Sequence, residues 1–383
     1  MPFALPDPPT RVTQGEYRAR QQQVRDLVAA RGCPGVAVVG RGGGTYDRHG
    51  DLWYLTGHYQ AYPYLHDRPP LWSGRSHAVL VLPVDGPSIL VCSAPEMDEN
   101  LPVDDVQSGG DFAAICRDAL GPVRRGGWLV GLDALPASLA RQLPLEAMRL
   151  GDDLLEPFRR RKSAAERAIL RHASKIASMG IDALTAAATE GATEGEAVAA
   201  GLEPALRAGA WPYIVSLAAG DRTTSYTGRP SPGYRPERQF GAGELVRLDY
   251  VIVYEGYYAD FGRTFTIGPP EPSVQEAVTK LRRALDAAIH AARVGATAGD
   301  IASAGAGSVA DGRLGYPPHW GHGLGLGWEG PWLLPGSAEP IEQDYALAIE
   351  ATIRYGDLTV SGEENLLVDR DGPEVVSTAG WLE

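Results

Sequence analysis

The sequence predicts an α+β chain in two domains, and three observations carry that expectation. Its 383 residues exceed what one ordinary hydrophobic core fills. At "EPFRRRKSAAERAIL" (156–170) a mixture of strands and helix gives way to a long amphipathic helix. Beyond that point a unit of two helices followed by antiparallel strands occurs twice. Such a duplication implies a pseudo-twofold domain: one curved antiparallel sheet covered by helices, with a cleft where the halves meet. The domains are placed at 1–155, an α/β unit, and 156–383.

In the first domain, "YRARQQQVRDLVAARG" reads as a helix ending at Gly32, and "GVAVVG" as a strand. "HAVLVLPVDGPSILVC" reads as a hairpin turning at Asp85-Gly86. "YLTGHYQAYPYL" (54–65), with His58, reads as a packed strand end and loop. The basic cluster 159–162 reads as a solvated linker. Ser163 with Glu166 three positions on forms a capping box. Ile169, Ala173, Ile176, Gly180 and Leu184 then follow one helical face. A second helix lies near 193–208 and leads to strands that include a hairpin at 248–265. The other half has helices over 273–293 and 299–310, then strands turning at "DRDG" (369–372). The repeat reads as architectural, without clear identity between its halves.

The net charge of −13 argues against a nucleic-acid or anionic-membrane binder. Cys33, Cys92 and Cys116 form no C-x-x-C pair, so neither a thiolate metal site nor a disulfide framework is indicated. No basic-then-apolar leader opens the chain and no run of about 18 apolar residues occurs, so a cytoplasmic protein is the default expectation.

The chemistry concentrates in "LDYVIVYEGYYADFGRTF" (248–265). Two β-rich runs flank a turn at Glu255-Gly256, and each carries one aspartate, Asp249 and Asp260. Centred near Tyr254-Glu255, the hairpin would set the two about opposite each other. An aspartate can sit on the wet face of a strand. Facing carboxylates repel, however, and burying them is costly unless a cation lies between. Further candidate ligands follow. "HWGHGLGLGWEGP" (319–331) offers His322 between glycines, which allow close backbone approach. "YALAIEATI" (345–353) places Glu350 in an apolar run, and "TVSGEENLLVDRDG" (359–372) places Glu363 at the start of another. Glu364 reads as a wet-face residue. Four carboxylates and an imidazole suffice for two divalent cations.

This order resembles the pita-bread metallopeptidase family: Asp, Asp eleven residues on, a Gly-His-Gly histidine, a strand Glu, and a Glu before an apolar strand. The family includes methionine aminopeptidase, prolidase, aminopeptidase P, creatinase and ectoine hydrolase. "DLWYLTGH" (51–58) is similar to a strand of the creatinase/prolidase N-terminal domain. The resemblance implies that Asp249 holds one ion, His322 and Glu350 the other, and that Asp260 and Glu363 bridge both. It implies a hydroxide shared between the ions as nucleophile and Glu350 as proton carrier. The donor set suits Mn, Fe, Co or Zn. A homodimer is also implied.

The chain departs from the peptidases of this family at their substrate-gripping positions. Thr227, next to Tyr226, stands where they have a histidine. Trp328 and Glu329 replace a second histidine string. Ser361 stands where the Xaa-Pro enzymes have an arginine, and Ala351 where they have a proline. Trp320, Trp328, Trp332 and Tyr316 lie near His322 in sequence, and such aromatics suit a cationic or compact cyclic substrate. His319 is a candidate substrate-binding or supporting histidine. Glu329 is expected to attract a cationic group. The leading expectation is a dinuclear hydrolase cleaving an amide in a small molecule or unusual dipeptide, with ectoine hydrolase the nearest analogy in behaviour. Alternatives are a lyase or iron-dependent oxygen chemistry on the same fold, an ordinary Xaa-Pro dipeptidase or aminopeptidase, and a non-catalytic binding protein.

Overall fold

A computed structural model describes residues 4–381 except 45, 62–64, 69–73, 94–99, 226, 310–312, 315–318 and 356. The chain forms two compact units, Val12–Arg159 and Arg160–Glu383, the latter taking in residues 1–11 as well. No described helix is long and apolar enough to cross a membrane.

The first unit runs α1 (Gln14–Ala30), β1 (Gly35–Arg41), α2 (Gly50–Thr56), β2 (His77–Pro83), β3 (Ile89–Cys92), β4 (Asp105–Ser108), α3 (Phe112–Ala119), β5 (Trp128–Val130), α4 (Ala137–Ala140) and β6 (Arg149–Leu150). Its mixed sheet has the order β4-β3-β2-β1-β5-β6. Val39, Val79, Val81 and Val91 pack beneath Phe112 and Cys116 of α3 in one apolar core. The segment "DLWYLTG" is helical, not a strand. Leu52 and Leu55 are both buried one turn apart, Thr56 Oγ1 donates to the Leu52 carbonyl, and Gly57 closes the helix at φ 67°. A seven-residue aromatic run carries too little periodicity to separate helix from strand. Of the following stretch, residues 62–64 lie outside the described residues.

After α5 (Glu156–Arg160) the second unit opens with α6 (Ala164–Ala187), started by the Ser163/Glu166 capping box. Then come α7 (Glu194–Arg207), β7 (Trp211–Ala219), β8 (Leu245–Tyr254), β9 (Tyr257–Thr266), α8 (Pro272–Ala291), α9 (Ala298–Gly307), β10 (Arg313–Leu314), β11 (Gly321–Leu324), β12 (Trp328–Glu329), β13 (Ala346–Tyr355), β14 (Leu358–Asp369) and β15 (Gly372–Val375). One ladder has the order β7-β8-β9. The other has β12-β11-β13-β14-β15, with β10 also on β13. The seam between β9 and β14 is closed by Thr264 Oγ1 with the Ser361 backbone and by Asn365 with the Asp260 backbone.

The two halves do share sequence, contrary to expectation. "GATEGEAV" (191–198) and "GATAGDIA" (295–302) occupy the same place in each half. Thr193 caps α7 in a box with Glu196, and Thr297 caps α9 in a box with Asp300. Gly191 and Gly295 both have positive φ, and their N–H groups donate to Phe240 and Ile341 carbonyls. A Cβ on Gly195 would lie 2.8 Å from the Pro236 carbonyl oxygen, and one on Gly299 2.6 Å from that of Ser337. These contacts require the same small residues twice.

The basic cluster is not a solvated linker. Lys162 is buried and donates to Glu329 Oε2 at 2.7 Å, while Arg160 and Arg161 pair with Glu339 and Glu342. Glu364 is likewise buried, held by Arg263 at 3.0 Å, by Ser377 and by Trp381. Both carboxylates have cationic partners more than a hundred positions away in the chain, which local pattern does not reveal.

Candidate metal centre

The hairpin of β8 and β9 turns on a two-residue loop, Glu255-Gly256, so Tyr254 faces Tyr257. Asp249 then lies opposite Gly262, and Asp260 opposite Val251. The aspartates are diagonal neighbours on one face rather than opposed, because the hairpin centre falls one residue later than expected. The directly facing carboxylates are Glu350 on β13 and Glu363 on β14. Like charges in that position destabilise a ladder without a cation.

His322 completes the group from β11, which pairs with β13 so that His322 faces Ala348. The flanking glycines allow this approach. A Cβ on Gly321 would fall 1.9 Å from the Ala348 carbonyl oxygen, and one on Gly323 2.1 Å from that of Gly330. His322 Nδ1 lies 3.0 Å from the Gly323 carbonyl oxygen, which can only accept, so Nδ1 carries the proton. Nε2 then presents its lone pair 3.8 Å from Asp260 Oδ2 and 3.9 Å from Glu350 Oε1. Burial pushes the imidazole pKa down to about 4, so it is neutral and suited to ligation.

Ligand atoms of Asp260, His322 and Glu363 lie within 4.8 Å of one another, and all three residues are buried. Asp249 and Glu350 line a small cavity with Glu363 beside them. Glu363 Oε1 is buried and has no hydrogen-bond partner among the described residues. Burial, then the Asp260 and Asp249 charges, raise Glu350 to about 8. Burial raises Asp260 to about 6, against the Trp328 hydrogen bond. Glu363 is raised well above the usual range by burial and by Asp260, Glu350 and Asp249. A buried carboxylate cluster with a neutral imidazole and an orphaned oxygen fits divalent cations.

These shifts give a pH signature for the metal-free protein. A carboxyl whose folded pKa exceeds its unfolded value holds more protons when folded, so stability falls as pH rises toward the folded pKa. Below about 6.5 the buried histidines oppose this, since His49 (about 3), His319 and His322 (about 4) resist protonation in the fold. Between pH 7 and about 8.5 the carboxyls of Glu350 and Glu363 act without that opposition. Thermal unfolding in chelator is expected to drop over that window, and added Mn is expected to stabilise most at its alkaline end. A metal-free melting temperature that climbed from pH 7 to 8.5 would sink the assignment.

The surrounding residues differ from expectation. Trp328 is half-buried, and its Nε1 donates to Asp260 Oδ2. It packs with Tyr213 and Tyr258 at ring separations of 5.8 and 5.5 Å. Glu329 cannot attract a cationic substrate, because Lys162 takes its charge and Leu326 N donates to its other oxygen. Trp320 is core, 1% exposed, and packs on Gly305. Trp332 is 41% exposed, with its ring 5.2 Å from His319 and 5.4 Å from His322. His319 Nδ1 lies 3.3 Å from Glu350 Oε1. Thr227 is half-buried on the loop after β7, whereas Tyr226 and Tyr316 lie outside the described residues.

Sequence reasoning missed Asn365 and Arg263. Asn365 holds the backbone of Asp260, its Oδ1 accepting from Asp260 N at 3.0 Å. Arg263 Nη1 donates to the Glu363 carbonyl oxygen at 2.6 Å. Asn365 lies two residues from Glu363 on β14, so the two share a face, which is the signal that could have found it. Arg263 lies three residues from Asp260 on β9, an odd step that carries no such signal.

The pattern of metallopeptidase family M24 matches residues 168–370. A putative dipeptidase, YkvY of Bacillus subtilis, is 27% identical over 231 residues, 58% of this chain and 61% of that protein. A probable dipeptidase, PepE of Mycobacterium tuberculosis, is 32% identical over 148 residues, 37% of this chain and 39% of that one. The chain thus spans from about two fifths to three fifths of the length of these curated relatives. The crystal structure of dipeptidase PepE from Mycobacterium ulcerans superposes with a TM-score of 0.76 at 25% identity, over 97% of this chain and 99% of that one.

Proposed function

The chain belongs to metallopeptidase family M24, a family of metal-dependent peptidases, and from that premise we propose that it is a dinuclear dipeptidase-like hydrolase acting on short peptides. The observation that carries this reading is the buried group of Asp260, His322 and Glu363, with Asp249 and Glu350 lining the cavity beside it. The raised carboxyls of Asp260, Glu350 and Glu363, and a Glu363 oxygen without a hydrogen-bond partner among the described residues, call for cations there. When bound, such ions acidify water and polarise an amide carbonyl.

The chain's own residues support the rest. The Gly323 carbonyl fixes the His322 tautomer, so Nε2 is the ligating nitrogen. Asn365 and Arg263 hold the backbones of Asp260 and Glu363. Trp328 orients Asp260 and adds an apolar wall with Tyr213 and Tyr258. Glu350 Oε1, beside His319 Nδ1, is placed to take a proton and return it to a leaving amine. A cationic small-molecule substrate loses its support, since Glu329 is neutralised by Lys162. The dipeptidase names of the relatives support short peptides instead.

Specificity for proline is expected to be weak. Thr227 is too short to replace an oriented imidazole, Trp328 is engaged with Asp260, and Ser361 carries no charge. One lost donor at a developing oxyanion costs ~10²–10³ in rate. The test is a panel of dipeptides, Xaa-Pro dipeptides and N-terminal Met peptides with Mn, Co, Fe and Zn in turn. Turnover of ordinary dipeptides, with Ala-Pro slower by about that factor, is the expected result. Failure to cleave any dipeptide with any of the four ions overturns the reading.

A further inference from the structure

The segment after β12, "GPWLLPG" (330–336), holds no charged side chain. Its backbone runs beside β11. Gly323 N donates to the Pro331 carbonyl oxygen at 3.0 Å, Leu333 N to that of Gly321 at 2.9 Å, and Trp320 N to that of Leu333 at 2.9 Å. This antiparallel spacing sets Trp332 directly opposite His322, so the two side chains leave the same face. Leu333 points the other way, into the core, and is fully buried.

Trp332 is 41% exposed and Leu334, two residues on, 43%. The indole is held in place all the same. Its ring centre lies 5.4 Å from that of His322 and 5.2 Å from that of His319, and the two imidazoles are 6.1 Å apart. His319 is itself oriented, because Gly321 N donates to its Nδ1 at 3.3 Å. The same nitrogen lies 3.3 Å from Glu350 Oε1, the oxygen positioned to return a proton to the leaving amine. An amine within hydrogen-bond reach of that oxygen lies within one side-chain length of the Trp332 indole. A fixed, half-open indole at this place offers apolar area to the residue that leaves.

We propose that Trp332 is a specificity-determining residue, the wall against which the side chain of the leaving, C-terminal amino acid packs. It selects a large apolar side chain there, and Leu334 extends the wall. Trp328, with Tyr213 and Tyr258, stands apart on the Asp260 side of the group. The inference rests on the dipeptidase reading and deepens it by naming the substrate class.

The experiment measures kcat and KM on dipeptides that share one N-terminal residue and end in Gly, Leu, Phe or Asp. The proteins are metal-loaded wild type, Trp332→Ala and Trp332→Phe. Calorimetric binding of free leucine and free glycine to each loaded protein gives a readout independent of turnover. Metal content and thermal unfolding report whether each variant is loaded and folded. Wild type should favour Leu and Phe over Gly and Asp, and should bind leucine more tightly than glycine. That wild-type comparison decides if the variants do not fold, and a wild type without either preference would overturn the inference. Trp332→Ala should lower the Leu-to-Gly preference about 5- to 30-fold, mainly through KM, with a parallel loss in leucine binding alone. Trp332→Phe should keep most of the preference. Equal losses on Leu and Gly would reduce Trp332 to a packing partner of the histidines and overturn the inference alone. An unchanged preference with an altered oligomeric state would assign the exposed indole to a second copy of the chain and overturn it likewise. Wild type that cleaved none of the series would overturn the dipeptidase reading, and the inference with it.

Discussion

Asp260→Ala is expected to abolish binding of both ions and to reduce turnover by about 10³-fold or more, the consequence of losing several kcal/mol of charge stabilisation. Asp260 is almost wholly enclosed, with its side chain 5% exposed and Oδ2 3.8 Å from His322 Nε2. Trp328 fixes the same oxygen, and Asn365 fixes the backbone on both sides. The carboxylate is thus held at the centre of the group rather than at its rim. A residue there serves two ions if two are bound. Glu363→Ala should act similarly, because its ligand oxygens lie in the same compact set. His322→Ala should weaken chiefly one site, since a single nitrogen faces the cluster. Elemental analysis of the purified variants distinguishes these outcomes. An Asp260→Ala protein with wild-type metal content would show that the carboxylate does not bridge.

Much of the second unit was legible because its signals are local. The Ser163 capping box, the buried face of α6 and the Glu255-Gly256 turn are each written within a few residues. The five candidate ligands stood out as polar residues in apolar or glycine-rich strands. Their exact pairing was not legible. Moving a hairpin centre by one residue shifts every cross-strand partner by two, so Asp249 meets Gly262 and not Asp260. The strain expected between the aspartates appears instead between Glu350 and Glu363.

Long-range pairing hid the rest. Nothing beside Lys162 in sequence indicates Glu329, and nothing beside Glu364 indicates Arg263. Each carboxylate therefore read as an exposed or substrate-facing charge. The aromatic residues near His322 read as one pocket. In three dimensions they divide, with Trp320 in the core, Trp328 on Asp260 and Trp332 against the histidines.

Glu350→Gln is expected to keep most of the metal and nearly all of the substrate affinity while lowering kcat by ~10²–10⁴, the usual contribution of a positioned general acid–base. The side chain of Glu350 is 21% exposed, against 5% for Asp260 and 4% for His322, so it reaches furthest toward solvent of the three. Its Oε1 lies 3.3 Å from His319 Nδ1, within reach of a second titratable ring. Without a cation, burial and the neighbouring aspartates hold its pKa near 8, so its proton is already finely balanced. Bound cations would favour the carboxylate and lower that value. Glutamine preserves the shape and one ligand oxygen but cannot take up a proton and release it. The discriminating measurements are metal content, KM and kcat together, because lost ligation and lost proton transfer affect them differently. A drop in kcat that followed metal loss in proportion would make Glu350 a ligand only. A fully loaded Glu350→Gln enzyme with near-native kcat would remove it from the chemistry altogether.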